Sequence, residues 1–126
     1  EVKYMEILAV GIGGAIGACL RFFLSQIIVY EAGFPFATFI ANCIGCFVLS
    51  YLLSGKLLKS YPKLKLALTT GLLGSFTTFS TFSSETISLI SDQLYGIAFV
   101  YVLLSAIGGL LLSFVGYRLG SGGTII

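Results

Sequence analysis

Gly71-Leu72-Leu73-Gly74-Ser75-Phe76-Thr77-Thr78-Phe79-Ser80-Thr81-Phe82-Ser83-Ser84-Glu85 is the stretch on which the fold turns. It lies inside an apolar segment from about Leu66 to Ile90, long enough to cross a bilayer core, which takes about 20 residues. A helix required only to cross lipid would be built from leucine, isoleucine and valine. Here glycine and β-branched threonine weaken the helix, and hydroxyls stand ready to satisfy freed backbone groups. Non-helical backbone is tolerated at membrane depth only where protein buries it or water lines it. The pattern therefore predicts a break near Gly74 to Thr78.

Two readings of such a break stand open. Carbonyls turned inward from a discontinuous helix make a hard-cation site. Alternatively, the glycines only kink the chain and threonine hydroxyls cap the loose carbonyls. Phe76, Phe79 and Phe82 recur every three residues and so share one helical stripe. That stripe is set among Thr77, Thr78, Ser80, Thr81, Ser83 and Ser84, which avoid lipid, so this helix should face protein or a pore. An aromatic ring is negative on its face and positive at its edge, and a ring presented edge-on can meet an anion.

Working outward, three more apolar stretches run from about Ile7 to Tyr30, Phe36 to Leu53 and Leu94 to Leu119. The expected architecture is all-α: four transmembrane helices at about 7–30, 36–53, 66–90 and 94–119, one domain over residues 1–126, and a frayed tail from Gly120. Short connections make neighbouring helices antiparallel. Of the 126 residues, 57% are apolar and 10% charged, against roughly a quarter charged in soluble domains, so the solvent must be largely lipid. A net charge of +2 is too small to imply a nucleic-acid partner. No cleavable signal is evident. Lys3, Lys56, Lys59, Lys63, Lys65 and Arg118 fall on the face carrying both termini, while Glu31 and Asp92 fall on the other. The positive-inside rule then puts the termini in the cytoplasm.

Small residues (Gly13, Gly14, Gly17, Ala18, Gly45, Gly108 and Gly109) fit close helix packing, the usual driver of association in lipid. Asn42 carries two amide donors that suit an anion, or it acts as interhelical glue worth about 0.6 kcal/mol. Thr38 lies one turn before it, and Tyr101 and Ser105 make another hydroxyl face. Two charges fall within spans, each costing about 2.5–3.5 kcal/mol at a helix centre. Arg21 reads either as an anchor snorkelling to the membrane edge or as an anion attractor at a vestibule. Glu85 reads as capping or pairing through neighbouring hydroxyls. Cys43 and Cys46 read as small packing residues, because a C-x-x-C inside an apolar helix lacks the setting of a redox or metal pair.

Three motifs, Gly13-Gly14-Ala15-Ile16-Gly17-Ala18-Cys19-Leu20-Arg21-Phe22, Thr38-Phe39-Ile40-Ala41-Asn42-Cys43-Ile44-Gly45 and Gly74-Ser75-Phe76-Thr77-Thr78-Phe79-Ser80-Thr81-Phe82-Ser83, resemble the Fluc (CrcB-type) fluoride channels. The likeness covers essentially the whole chain, and the Thr-Thr-Phe-Ser-Thr-Phe run is its specific part. The resemblance implies an antiparallel dimer of four-helix subunits in the bacterial inner membrane, with two narrow fluoride pores. Phe79 and Phe82 would supply ring edges, Asn42 an amide donor, and Thr38, Ser80, Thr81, Tyr101 and Ser105 polar positions along the path. Arg21 matches the vestibule arginine. Gly74 and Thr77 match the break whose carbonyls, from both subunits, would hold a structural Na⁺. Weak donors at many sites would replace the water of a small anion without trapping it, as conduction requires.

Two features depart from the pattern. Ala37 stands where glycine is usual before the threonine. The cationic bias toward one face also points to a fixed orientation, so that the partner in an antiparallel dimer is either the chain itself or an oppositely inserted paralogue. Two competing functions carry their own requirements. A proton-coupled small multidrug exporter needs a carboxylate deep in the first helix, whereas Glu6 lies at its end, and tryptophan contacts, whereas the chain has no tryptophan. A non-transporting assembly or lipid-binding subunit would show no conductance and would tolerate Asn42→Ala. No catalytic triad, metal cluster or phosphate loop suggests an enzyme.

Overall fold

The computed structural model describes residues 2–28, 33–56 and 58–122. Its helices are α1 (Val2–Ile27), α2 (Phe36–Ser54), α3 (Pro62–Leu66), a π-helical segment (Ala67–Leu73), α4 (Gly74–Phe76), α5 (Phe79–Ser91) and α6 (Tyr95–Gly120). Tyr30, Glu31, Ala32 and the last four residues of the expected tail lie outside the described residues. Among the described residues, three helices are long and apolar enough to cross a membrane: Lys3–Ile27, Phe36–Ser54 and Tyr95–Gly120. The stretch over 66–90, expected as a span broken near Gly74 to Thr78, is broken there and also carries a π-helical segment, so that none of its pieces is long enough alone to cross.

The outward faces fit an apolar solvent. Leu8, Ile12, Ile16, Leu20, Phe23 and Ile27 recur at helical spacing along α1, and all are exposed. Pro35 precedes the first turn of α2, where its missing N–H has no helical partner to lose. Pro62 opens α3 for the same reason.

The helices pack as two close pairs. α1 lies against the π-helical segment, and α2 lies along α6. Small residues permit both. A Cβ on Gly17 would collide with the carbonyl of Leu72 and the hydroxyl of Ser75, and one on Gly13 with the carbonyl of Ala67. Across the other pair, Gly116 and Gly120 meet the backbone of Phe47 and Tyr51. Gly108 and Gly109, by contrast, leave more room, facing the sulfurs of Cys43 and Cys46.

Toward one end, Leu89, Ala98 and Tyr101 form a buried cluster, flanked by Phe34, Phe39, Phe82 and Ile97. The turn joining α5 to α6 sets this cluster. Gln93 takes a left-handed conformation at φ 61°, its N–H donates to Ile90 O, and the N–H of Leu94 donates to Leu89 O at 2.8 Å. This is a Schellman ending with glutamine where glycine is usual.

Gly17→Ala should therefore destabilise the protein by about 1–3 kcal/mol through overpacking. Gly11, with open space where its Cβ would sit, should gain up to about 1 kcal/mol as alanine. Thermal unfolding of both variants in detergent checks the pair.

Candidate functional site

The helical path ends at Thr77 and Thr78. Gly74 keeps helical angles, φ −63° and ψ −28°, whereas Thr77 (φ −77°, ψ 153°) and Thr78 (φ −149°, ψ 122°) are extended. The break thus sits at the β-branched pair, beyond the glycine expected to start it. It also splits the aromatic stripe. Phe76 turns into the protein at 8% exposure, while Phe79 stands 80% exposed on the next helix.

An interruption here strands backbone groups, and the side chains around it take them up. Asn42 clamps Thr78 from both sides: its Oδ1 accepts from the Thr78 N–H at 2.8 Å, and its Nδ2 donates to the Thr78 carbonyl at 3.1 Å. The Thr78 hydroxyl caps α5 by accepting from the Thr81 N–H at 3.1 Å and donating to the Thr81 hydroxyl at 3.0 Å. Arg21 reaches across from α1, its Nε donating to the carbonyl of Ser75 at 3.1 Å. Ser75 returns the link, its hydroxyl donating to Gly14 O at 2.7 Å. Gly45 leaves room for the methyl group of Thr77 against α2.

Two carbonyls lose their helical partners by these bonds. In an unbroken helix Gly74 O would accept from Thr78 N–H and Thr77 O from Thr81 N–H. The first donor is held by Asn42 and the second by the Thr78 hydroxyl. Threonine capping of the kink is real but goes elsewhere: the Thr77 hydroxyl donates to Leu73 O at 2.8 Å. Among the described residues no group of three or more His, Cys, Asp or Glu could hold a metal ion. The oxygens of Gly74 and Thr77 are hard ligands of the kind that suit a small hard cation.

Beside the break runs a mostly apolar groove of about 530 Å³, lined by Asn42, Cys46, Thr77, Thr78, Phe79, Phe82 and Ser105 among others. Phe79 and Phe82 lie 5.9 Å apart between ring centres with their planes tilted by 36°, and Phe82 is 5.0 Å from Tyr101. Ser105 places its hydroxyl oxygen out of solvent, without a hydrogen-bond partner among the described residues. A second cavity of about 330 Å³ opens toward α1, lined by Arg21, Ser25, Thr38, Thr81 and Glu85 with apolar neighbours.

Glu85 joins the two regions. Its Oε1 accepts from the Thr38 hydroxyl at 2.8 Å and its Oε2 from the Tyr101 hydroxyl at 2.7 Å. The expectation that Glu85 pairs through hydroxyls holds, with partners on two other helices rather than its sequence neighbours. Thr38 and Tyr101, expected to face a permeating ion, direct those hydroxyl protons to the carboxylate. Arg21 is half-buried and tied to Ser75 through its Nε. Ser80 is exposed, its hydroxyl 3.2 Å from that of Thr78. Thr78 is not among the site residues that the sequence reading names; its place before a Phe-Ser-Thr turn is an N-cap signature that finds it.

Thr78→Val should cost about 1 kcal/mol through loss of the cap, and Thr78→Ser should recover most of it. Chemical unfolding of the two variants in mild detergent measures the difference.

With this geometry in place, comparison with known proteins adds a family. The model for "CrcB-like protein, Camphor Resistance (CrcB)" matches residues 8–117. A fluoride-specific ion channel FluC 1 from Bacillus cereus is 43% identical over 124 residues, covering 95% of this chain and 86% of that protein. A FluC 2 from Staphylococcus haemolyticus is 44% identical, covering 92% of this chain and 97% of its own length. A FluC from Oceanobacillus iheyensis is 46% identical, covering 90% of each. These relatives are named as channels, not enzymes.

Proposed function

The chain belongs to the CrcB family, a family of multi-pass membrane proteins, and on that premise we propose that it is a passive, fluoride-selective channel. The observation carrying this reading is the groove at the break, where Asn42, Phe79, Phe82 and Ser105 meet. A fluoride ion gives up strongly held water, so its path must offer replacement donors in small steps. The buried Ser105 hydroxyl and the second N–H of the Asn42 amide are such donors, and Phe79 and Phe82 add ring edges. None carries a full charge, which keeps binding weak enough for exit. Thr38, Ser80, Thr81 and Tyr101 would add polar positions along the path, and Arg21 would draw anions into the cavity beside α1. The fluoride export this permits runs down the ion's own gradient.

In this reading the pieces from Pro62 to Ser91 together make a fourth crossing of the bacterial inner membrane. The chain works as an antiparallel dimer with two pores. Gly74 and Thr77 of each subunit would hold a central structural Na⁺, which would supply fixed positive charge and bind the two breaks together. The support is chemical: the two carbonyls without helical partners are of the type such an ion takes, and one chain offers too few of them alone. The lysine-rich end supports cytoplasmic termini and pairing with an oppositely inserted paralogue. A proton-coupled exporter is not favoured, since the relatives carry channel names.

Reconstituted in liposomes with any partner it needs, the chain should release fluoride rapidly without a proton gradient, with little chloride release. Phe79→Ile or Asn42→Asp should reduce fluoride efflux by at least 10-fold. Rates unchanged in both variants would remove the groove from the path. Tags on the two termini should be labelled from one side only; equal labelling from both sides would rule out a fixed orientation.

A further inference from the structure

We propose that Cys43 and Cys46 form a two-thiolate site for a soft, d¹⁰ metal ion (Cu⁺, Ag⁺ or Hg²⁺) whose occupancy closes the neighbouring groove. Both cysteines are free and partly exposed. They stand three residues apart on α2, so they share a face with Cβ atoms about 5–6 Å apart. Both sulfurs turn toward α6, each lying 3.4 Å from where a Cβ would sit on Gly108 or Gly109. The facing helix therefore presents bare backbone to both sulfurs at these positions.

Cys46 also lines the groove beside Asn42, Thr77 and Ser105. The groove thus reaches the Cys46 end of the pair directly. The other polar groups there are hydroxyl and amide oxygens, poor ligands for a soft ion, so selection falls to sulfur. Two metal–sulfur bonds of about 2.3 Å each can bridge sulfurs borne on Cβ atoms at this spacing. Each thiol releases its proton to water as the metal binds, and no electrons are exchanged. With both thiols deprotonated the filled site is neutral for Hg²⁺ and carries one negative charge for Cu⁺ or Ag⁺, so an ion held at Cys46 adds bulk without positive charge next to Asn42 and Ser105, where it would exclude a permeating anion.

The binding arm stands by itself, whereas the closing arm rests on the channel reading. Purified protein titrated with Hg²⁺ should show sulfur-to-metal charge-transfer absorbance saturating at one ion per Cys43–Cys46 pair. Cys19→Ser should keep this signal, and Cys43→Ser and Cys46→Ser should each lose it. In liposomes, fluoride efflux normalised to each variant's own metal-free rate should need at least 10-fold more Hg²⁺ for block in Cys46→Ser and in Cys43→Ser. A signal that survives Cys43→Ser, or that follows Cys19, overturns the paired site. Intact binding with undiminished efflux overturns the closing role alone. No metal-free efflux in the parent chain counts against the channel reading, while the absorbance titration still decides the site.

Discussion

Everything in this molecule depends on how one residue's backbone is satisfied away from water. Thr78 is extended where a helix is interrupted: its N–H has no helical partner, while its carbonyl, as that of the N-cap residue, opens the α5 ladder. Each unsatisfied group in an apolar setting costs several kcal/mol. The Asn42 carboxamide takes up that N–H and adds a second bond to the carbonyl with one planar group. That clamp couples α2 to the interruption and fixes the orientation of α5, so that Phe79 and Phe82 border the same groove as Asn42. It also diverts the donor that would have closed on Gly74.

The same constraint explains the neighbouring bonds. Arg21 carries a charge that is costly among apolar helices, and its Nε is directed to the carbonyl of Ser75 beside the interruption. Glu85 is equally costly and is held by hydroxyls from two helices, Thr38 on α2 and Tyr101 on α6. Each of its two oxygens thus has a hydroxyl donor. These bonds draw α1, α2, α5 and α6 together around the break, while glycines let α1 approach the π-helical segment.

Much of this is legible in the sequence, because the signals are chemical. Hydroxyls crowded between Gly74 and Glu85 announce an interruption, and the apolar runs announce four spans, of which three are long unbroken helices among the described residues. The break falls in the Gly74 to Thr78 window that the sequence predicts, but its residues within that window are not legible: glycine is the better-known breaker, yet Gly74 stays helical and the extended residues are the threonines. The π-helical stretch over Ala67–Leu73 has no sequence signature, since an i→i+5 ladder uses the same residues as an α-helix. Periodicity also misleads over Phe76, because a three-residue spacing keeps one face only in an unbroken helix. Asn42 stands out as the strongest polar residue of α2, but its bonds to Thr78 depend on a tertiary approach that no spacing within that helix reveals.

The most direct measurement of the central claim is the reversal potential across a planar bilayer containing the reconstituted protein. Fluoride is set in a tenfold gradient, with chloride and pH equal on both sides. A path through the groove that passes fluoride alone places the reversal at the fluoride equilibrium potential, about 59 mV for this gradient. A reversal near zero, or one that follows an imposed pH gradient instead, would contradict the account.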